Sequence, residues 1–357
     1  MKPADIMQKP DLNPDQLYKC IDRSMEGLKE SWLIFSAFEL GIFEVLKTPE
    51  SAEVLAGKLG CDHALMPIFC EALCKLGLLS RLEEHGSDGS KAEINRKYRN
   101  TTLASTYLVK DSPFFHQHYL SEKVKTTELW AKLPEIMRKG PVLVHKETFF
   151  GERIIPSMAE NALTGLLQET VQTVMENVDF SKVGKLLDLG GGHGLYAIAF
   201  AALSEELEAF VFDLPAVTEK TRAYIEKYGV RRVDVLPGNF FEDDIGSGYD
   251  LIFSSSNPGG KVPELIPKIA AALNEGGIFV NRQGADEKIG SNPLFNLEWN
   301  LWTFEDTKKA SSGYSFENSV PFDVYIERLG DFGFEVEKIM DMEENSRIVF
   351  ARKTRKV

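Results

Sequence analysis

From Lys185 onward, short apolar runs alternate with amphipathic stretches, and that alternation restricts the chain to few folds. Lys185 to Leu189 reads as a strand, glycines follow, and an apolar helix runs from Tyr196 to Ser204. Ala209 to Phe212 is a second strand, with a helix from Ala216 to Tyr228. Val233 to Leu236, Leu251 to Ser254, Ile278 to Asn281, Phe334 to Ile339 and Ile348 to Ala351 supply further strands, with helical stretches near 262–273 and 321–330. Such alternation predicts an α/β fold with a doubly wound, mainly parallel sheet. No helix separates the last two strands, so they are expected to form an antiparallel hairpin.

The first strand closes on Asp188-Leu-Gly190-Gly-Gly192-His-Gly194. Glycines permit a tight turn and a close approach of ligand to backbone, while the following helix starts with unsatisfied N–H groups. A loop of this kind is compatible with NAD, FAD or S-adenosylmethionine. Two acidic residues narrow the choice. Asp213 ends the second strand, where a ribose would present its hydroxyls. Asp188 stands just ahead of the glycines, awkward beside a pyrophosphate but suited to an ammonium group. Together they favour S-adenosylmethionine over a dinucleotide, with a nicotinamide oxidoreductase as the disfavoured alternative.

The first 110 residues follow another pattern. Trp32, Phe35, Phe38, Ile42, Phe43 and Leu46 recur at three- and four-residue spacing, as on one side of a helix. A helix this apolar packs on a large partner domain or on a second copy of itself. Ser51 opens a short helix ending near Gly60. Asp62 is read as the N-cap of the next, with Leu65, Ile68, Phe69, Leu73 and Leu76 expected inward and Gly77 as its stop. The polar stretch 83–93 resembles a hairpin tip between two short strands. Helix, helix, hairpin is the order of a winged helix, a module that can read DNA. No cluster of Lys and Arg marks its second helix, however, and 54 Asp plus Glu against 41 Lys plus Arg leave a net charge of −13. That balance repels phosphate backbones, so nucleic acid is not an expected partner.

A length of 357 residues gives room for about two domains. The longest apolar stretches, such as Trp32 to Phe38 or Ile198 to Leu203, fall far short of the roughly 20 residues that cross a bilayer. The N-terminus, with Asp5 and Asp11, does not read as a signal peptide. A cytoplasmic protein without a membrane partner is expected. Cys20, Cys61, Cys70 and Cys74 contain no CxxC pair and read as free thiols, buried at Cys70 and Cys74. Residues 101–180 look like connecting helices, with Pro156 in the first turn of a long helix reaching about Val178. The basic run Arg352, Lys353, Arg355, Lys356 reads as a solvated tail.

Beside LLDLGGGHG, the chain carries WLIFSAFELGIFEVL near its start, VFDLP at 211–215, GNFFED at 238–243 and GGIFV at 276–280. With these motifs it resembles the class I methyltransferases of the acetylserotonin and plant-type O-methyltransferase family. The resemblance implies an N-terminal winged-helix dimerisation domain (1–108), connecting helices (109–180) and a Rossmann-like S-adenosylmethionine-binding domain (181–357), assembled as a homodimer. It implies that Gly190 and Gly192 contact the methionine part of the cofactor and that Asp213 holds the ribose. Leu214 and Phe240 would pack on the adenine. Asn239 stands where the family usually has an aspartate reaching the adenine amino group, and its amide oxygen can accept the same bond. Asp188 and Ser254 complete the expected cofactor site.

One part of the family pattern is missing. Members typically carry a His-Asp-Trp group after the fourth strand, with the histidine as base for a hydroxyl. Here the segment reads Tyr249-Asp-Leu-Ile-Phe-Ser-Ser-Ser-Asn257-Pro-Gly-Gly260-Lys-Val-Pro263, without histidine. Proton removal contributes roughly 10²–10⁴-fold to such reactions. Three readings follow: an acceptor that needs no strong base (a thiol, an activated carbon or an acidic hydroxyl), a replacement base, or a protein that binds the cofactor without transferring methyl. The replacement candidates are Glu298, within LFNLEWNLWTF at 294–304, and His116, beside His118. His193 reads as a contact to cofactor or solvent. Trp299 and Trp302 either flank a flat substrate or belong to the core. Arg282 ends the GGIFV strand where related enzymes often have an acidic residue, and if it faces the pocket it favours an anionic substrate. No metal is expected. The reading is a methyltransferase acting on a small-molecule acceptor.

Overall fold

The computed structural model describes residues 7–84, 95–284, 292–305, 309, 318–343 and 345–354. Its contacts divide the chain into two units, Met1–His116 and Gln117–Val357. The helices expected as a separate connector after residue 116 therefore count with the second unit.

In the first unit, α1 (Asp15–Glu39) turns at Gly41 into the single turn α2 (Ile42–Val45). Ser51 accepts the Val54 N–H to start α3 (Ala52–Leu59), which ends at a left-handed Gly60. Asp62 accepts the N–H groups of Ala64 and Leu65 ahead of α4 (Leu65–Lys75). Strands β1 (Glu50–Ser51), β2 (Leu79–Glu84) and β3 (Asn95–Asn100) form an antiparallel sheet with β3 central, and α5 (Thr102–Tyr107) follows. The hairpin tip expected at 83–93 lies, beyond Glu84, outside the described residues. The inward face of α4 includes Leu73 as expected but otherwise differs: Met66 and Cys70 are buried, whereas Leu65 and Ile68 are exposed. Both stripes have helical spacing, and neighbouring elements choose between them. Leu17, Tyr18, Ile21, Met25, Leu28 and Trp32 of α1 are exposed as well. All four cysteines are free; Cys70 is buried, Cys61 and Cys74 are half-buried and Cys20 is exposed.

The second unit begins with α6 (Gln117–Ala131), α7 (Leu133–Lys139), β4 (Val142–Leu143) and α8 (Lys146–Thr148). The long helix expected from Pro156 to Val178 is two helices, α9 (Ile155–Asn161) and α10 (Leu167–Asn177). Between them Gly165 takes φ +137°, a conformation that glycine adopts at little cost.

Then come β5 (Lys185–Leu189), α11 (Leu195–Leu203), β6 (Glu208–Asp213), α12 (Pro215–Tyr228), β7 (Val233–Pro237), β8 (Tyr249–Ser255), α13 (Ile266–Ala272) and β9 (Leu273–Gly284). Helix α14 (Pro293–Asn300) leads to β10 (Trp302–Thr303), which pairs with β4. Helix α15 (Phe322–Asp331), β11 (Phe334–Met342) and β12 (Ser346–Lys353) follow. Seven strands form one sheet in the order β11-β12-β9-β8-β5-β6-β7. All pairings are parallel except those of β12, which runs antiparallel to both neighbours and makes the expected hairpin with β11.

Side chains along a strand alternate between faces. Leu186, Val211, Val235, Phe253 and Val280 thus pack with α10 and α11, while Leu187, Phe212, Ile252, Phe279 and Val349 pack with α13 and α15. Covering both faces leaves the C-terminal strand edge as the open one, where ligands bind in sheets of this kind. The basic run is not a solvated tail where it is described. Lys353 is buried in β12 with its ammonium on the Leu273 carbonyl at 2.7 Å, and Arg352 pairs with Glu337.

Candidate functional site

Strand β5 carries Asp188 to the open edge of the sheet and buries its side chain there. Its Oδ2 atom has no hydrogen-bond partner. Burial, reinforced by the charge of Asp213, pushes this carboxyl up to about 8. The Ala197 N–H bonds this carboxyl and pulls the other way, but a buried carboxylate oxygen without a partner is costly, and a cation supplied from outside relieves that cost. Gly190, Gly192 and Gly194 follow with φ of +67°, +54° and +71°. The Gly190 N–H donates to the Phe212 carbonyl at 2.8 Å, which ties the loop to β6. At Gly191 a Cβ would lie 2.5 Å from Asp188 Cγ and 2.8 Å from Val211 Cγ1, so no side chain fits.

Asp213, at the end of β6, is fixed at both oxygens. Oδ2 accepts the Gly192 N–H at 2.9 Å and Oδ1 accepts the Leu214 N–H at 2.7 Å. Burial pushes its carboxyl up to about 6, against the pull of those two donors. After β7, Asn239 Oδ1 accepts the Phe241 N–H at 3.1 Å. The oxygen expected to meet an adenine amino group is therefore turned into its own loop. Asp188, Gly190, Gly192, Asp213, Leu214, Asn239 and Phe240 all line one cavity of about 340 Å³, a size suited to a small ligand.

On the other side of β5, the wall is made by Ser255, Ser256, Asn257 and Arg282. Ser254, assigned to the cofactor from sequence, is not part of it. Ser254 is buried and its Oγ accepts the Asn257 side-chain N–H at 2.8 Å, while the same amide reaches the Leu189 carbonyl at 3.0 Å. It lines a much smaller neighbouring cavity, because strand alternation turns Ser254 and Ser255 to opposite faces.

Glu298, expected as a replacement base, is not brought to the cavity. Glu298 on α14 accepts the Trp130 indole N–H at 2.7 Å and lines a separate cavity beside Glu122 and Arg153. Trp299 and Trp302 are buried in an aromatic cluster with Phe149 and Phe304 and border that same separate cavity, not the one beside Asp188. His116 belongs to the first unit, where Nδ1 lies 2.6 Å from the Phe114 carbonyl and the ring packs edge-on to Tyr107. His118 Nδ1 lies 2.6 Å from Glu160 Oε1. His193 does line the cavity, but burial lowers its ring to about 4 and Nδ1 accepts the Leu195 N–H at 3.1 Å. Tyr196, Ser255 and Ser256, also in the wall, were not singled out from sequence; their closeness to the glycine loop and to β8 was the signal available. Among the described residues no group of three or more His, Cys, Asp or Glu could hold a metal ion, and no helix is long and apolar enough to cross a membrane.

Residues 156–281 match the O-methyltransferase domain, and residues 23–110 match the O-methyltransferase dimerisation domain. The acetylserotonin O-methyltransferase of Mus musculus is 31% identical over 76% of this chain and 74% of its own length. The chain belongs to the O-methyltransferase family. It is accordingly an S-adenosylmethionine-dependent methyltransferase. An uncharacterized protein of Methanocaldococcus jannaschii is 34% identical over 95% of this chain and 90% of its own length. The structure of human N-acetylserotonin methyltransferase in complex with SAM shares the fold, with a TM-score of 0.71 at 21% identity over 98% of this chain and 100% of that one.

Proposed function

We propose that this methyltransferase acts on a small organic acceptor that needs no histidine base, and that the Asp188 half of the cavity holds S-adenosylmethionine. The buried, unpartnered Oδ2 of Asp188 beside three left-handed glycines carries this reading. An ammonium group there would satisfy Oδ2 and hold the carboxylate ionised. Asp213, its oxygens already oriented by two backbone N–H groups, keeps lone pairs for the hydroxyls of a ribose. Leu214 and Phe240 offer apolar walls to a purine. Asn239 uses its oxygen locally and keeps its amide donor, which suits a purine ring nitrogen rather than an amino group.

Bound S-adenosylmethionine supplies an electrophilic methyl group. The chain's share is to align the acceptor with that methyl and to exclude water. Apart from Asp188 and Asp213, which the cofactor reading uses, the described wall holds no carboxylate. His193 is a weak base, and burial keeps the Tyr196 phenol above its ordinary value. Acceptors that are already nucleophilic fit such a wall: a thiol, which ionises near about 8.5, an activated carbon or an acidic hydroxyl. The match of residues 23–110 to a dimerisation domain supports a homodimer.

The test is calorimetric titration with S-adenosylmethionine and with NAD, followed by release of S-adenosylhomocysteine against thiols, phenols and carbon acids. Binding of S-adenosylmethionine alone, with turnover on thiols or carbon acids and little on neutral phenols, is expected. Binding without turnover on any acceptor would favour a cofactor-binding protein that transfers no methyl. Absence of binding would sink the site assignment.

A further inference from the structure

Arg282 ends β9 in the cavity wall with only 2% of its surface exposed. Its Nη1 donates to Ser256 Oγ at 3.0 Å, and its Nε is buried with no hydrogen-bond partner. Among the described residues no carboxylate pairs with it. A guanidinium stays charged at every physiological pH, and a buried charge without a counter-charge is strongly unfavourable. The local backbone is built to keep this arrangement. Ser256 takes φ +52°, uncommon for a residue with a side chain, and its N–H donates to the Arg282 carbonyl at 2.9 Å. Loop and strand are thereby pinned together, hydroxyl against guanidinium.

The sheet order separates this charge from the other end of the cavity. Asp188, Asp213 and Asn239 stand on or just after β5, β6 and β7, whereas Ser255, Arg282 and Ser346 stand on β8, β9 and β12, across β5 from them. If the cofactor takes the first half, as proposed above, the second half is left to the acceptor. Phe150, Ile155, Met158 and Leu166 line the same cavity and give it an apolar body. We propose that Arg282, supported by Ser256, is the receptor for a carboxylate carried by the methyl acceptor. The partnerless Nε edge of the guanidinium matches a planar carboxylate.

The experiment loads the full-length protein with S-adenosylhomocysteine and titrates it with benzoate, 1-naphthoate and indole-3-carboxylate, each beside its uncharged carboxamide. At least one carboxylate is expected to bind the native protein tighter than its amide by roughly tenfold or more. Arg282→Gln should erase that preference and Arg282→Lys should keep part of it, with the affinity for S-adenosylhomocysteine unchanged in both. Native protein that shows no preference for any carboxylate overturns the proposal. So does a loss of S-adenosylhomocysteine affinity in Arg282→Gln, which would assign the guanidinium to the cofactor's own carboxylate. Failure of the native protein to bind S-adenosylhomocysteine at all would instead overturn the cofactor reading on which the proposal rests. Thermal unfolding separates a structural role: removing a buried unpaired charge should leave the midpoint of Arg282→Gln unchanged or higher, and a lower midpoint overturns the proposal.

Discussion

In the folded, ligand-free chain Asp188 holds its proton at neutral pH, because its carboxyl is raised from 3.8 to about 8. The unfolded chain loses that proton near about 3.9. Since the folded pKa is the higher one, this group's contribution to stability is fully present below the unfolded value and is lost as pH rises toward about 8. A bound ammonium reverses the preference and selects the carboxylate. Binding of S-adenosylmethionine between about pH 5 and pH 7 is therefore expected to release close to one proton and to tighten with rising pH. Calorimetry in buffers of different ionisation enthalpy measures both. Asp188→Asn should fold and should weaken that binding by about 1.5–3 kcal/mol, the worth of a hydrogen bond to a charged group, with the proton release gone. Gly191→Ala places a methyl onto the Asp188 carboxyl and should cost about 1–3 kcal/mol of stability, read from a denaturant midpoint. The sequence makes Asp188, the glycines and Asp213 legible because each sits where a strand ends, and strand ends survive small errors of placement. Ser254 was not legible, since a shift of one residue along β8 reverses its face. Nor was the turn of Asn239, whose oxygen finds a backbone N–H two residues away.

Elements of the sheet were readable because strands covered on both faces leave short, nearly continuous apolar runs, as in β5, β8 and the second half of β9. The helices were harder. Two overlapping stripes on α4 gave no sequence-level reason to prefer Met66 over Leu65. A single glycine within a helical pattern did not announce the break between α9 and α10. Gly165 has open space around its Cβ position but a φ of +137°. Gly165→Ala should thus cost about 1–3 kcal/mol through backbone strain alone. A urea titration that shows no loss would mean that α9 and α10 can join as one continuous helix.

Across the whole molecule, the exposed apolar residues Met25, Leu28 and Trp32 of α1 sit within a segment matching a dimerisation domain from residue 23 onward. Met25→Glu combined with Trp32→Glu is expected to convert a dimer into a monomer in sedimentation, because a two-fold interface places each substitution in it twice. A native protein that sediments as a monomer would remove the homodimer from this account. The seven-stranded sheet holds one more consequence. Its latest strand in the chain, β12, is not at an edge but between β9 and β11. During synthesis the Asp188 side of the cavity can take shape while Arg282 still lacks the strand beside it. An emerging chain would acquire the Asp188 half of the cavity first and the Arg282 wall last, with one side of β9 left unpaired until the ribosome has delivered residues 346–353.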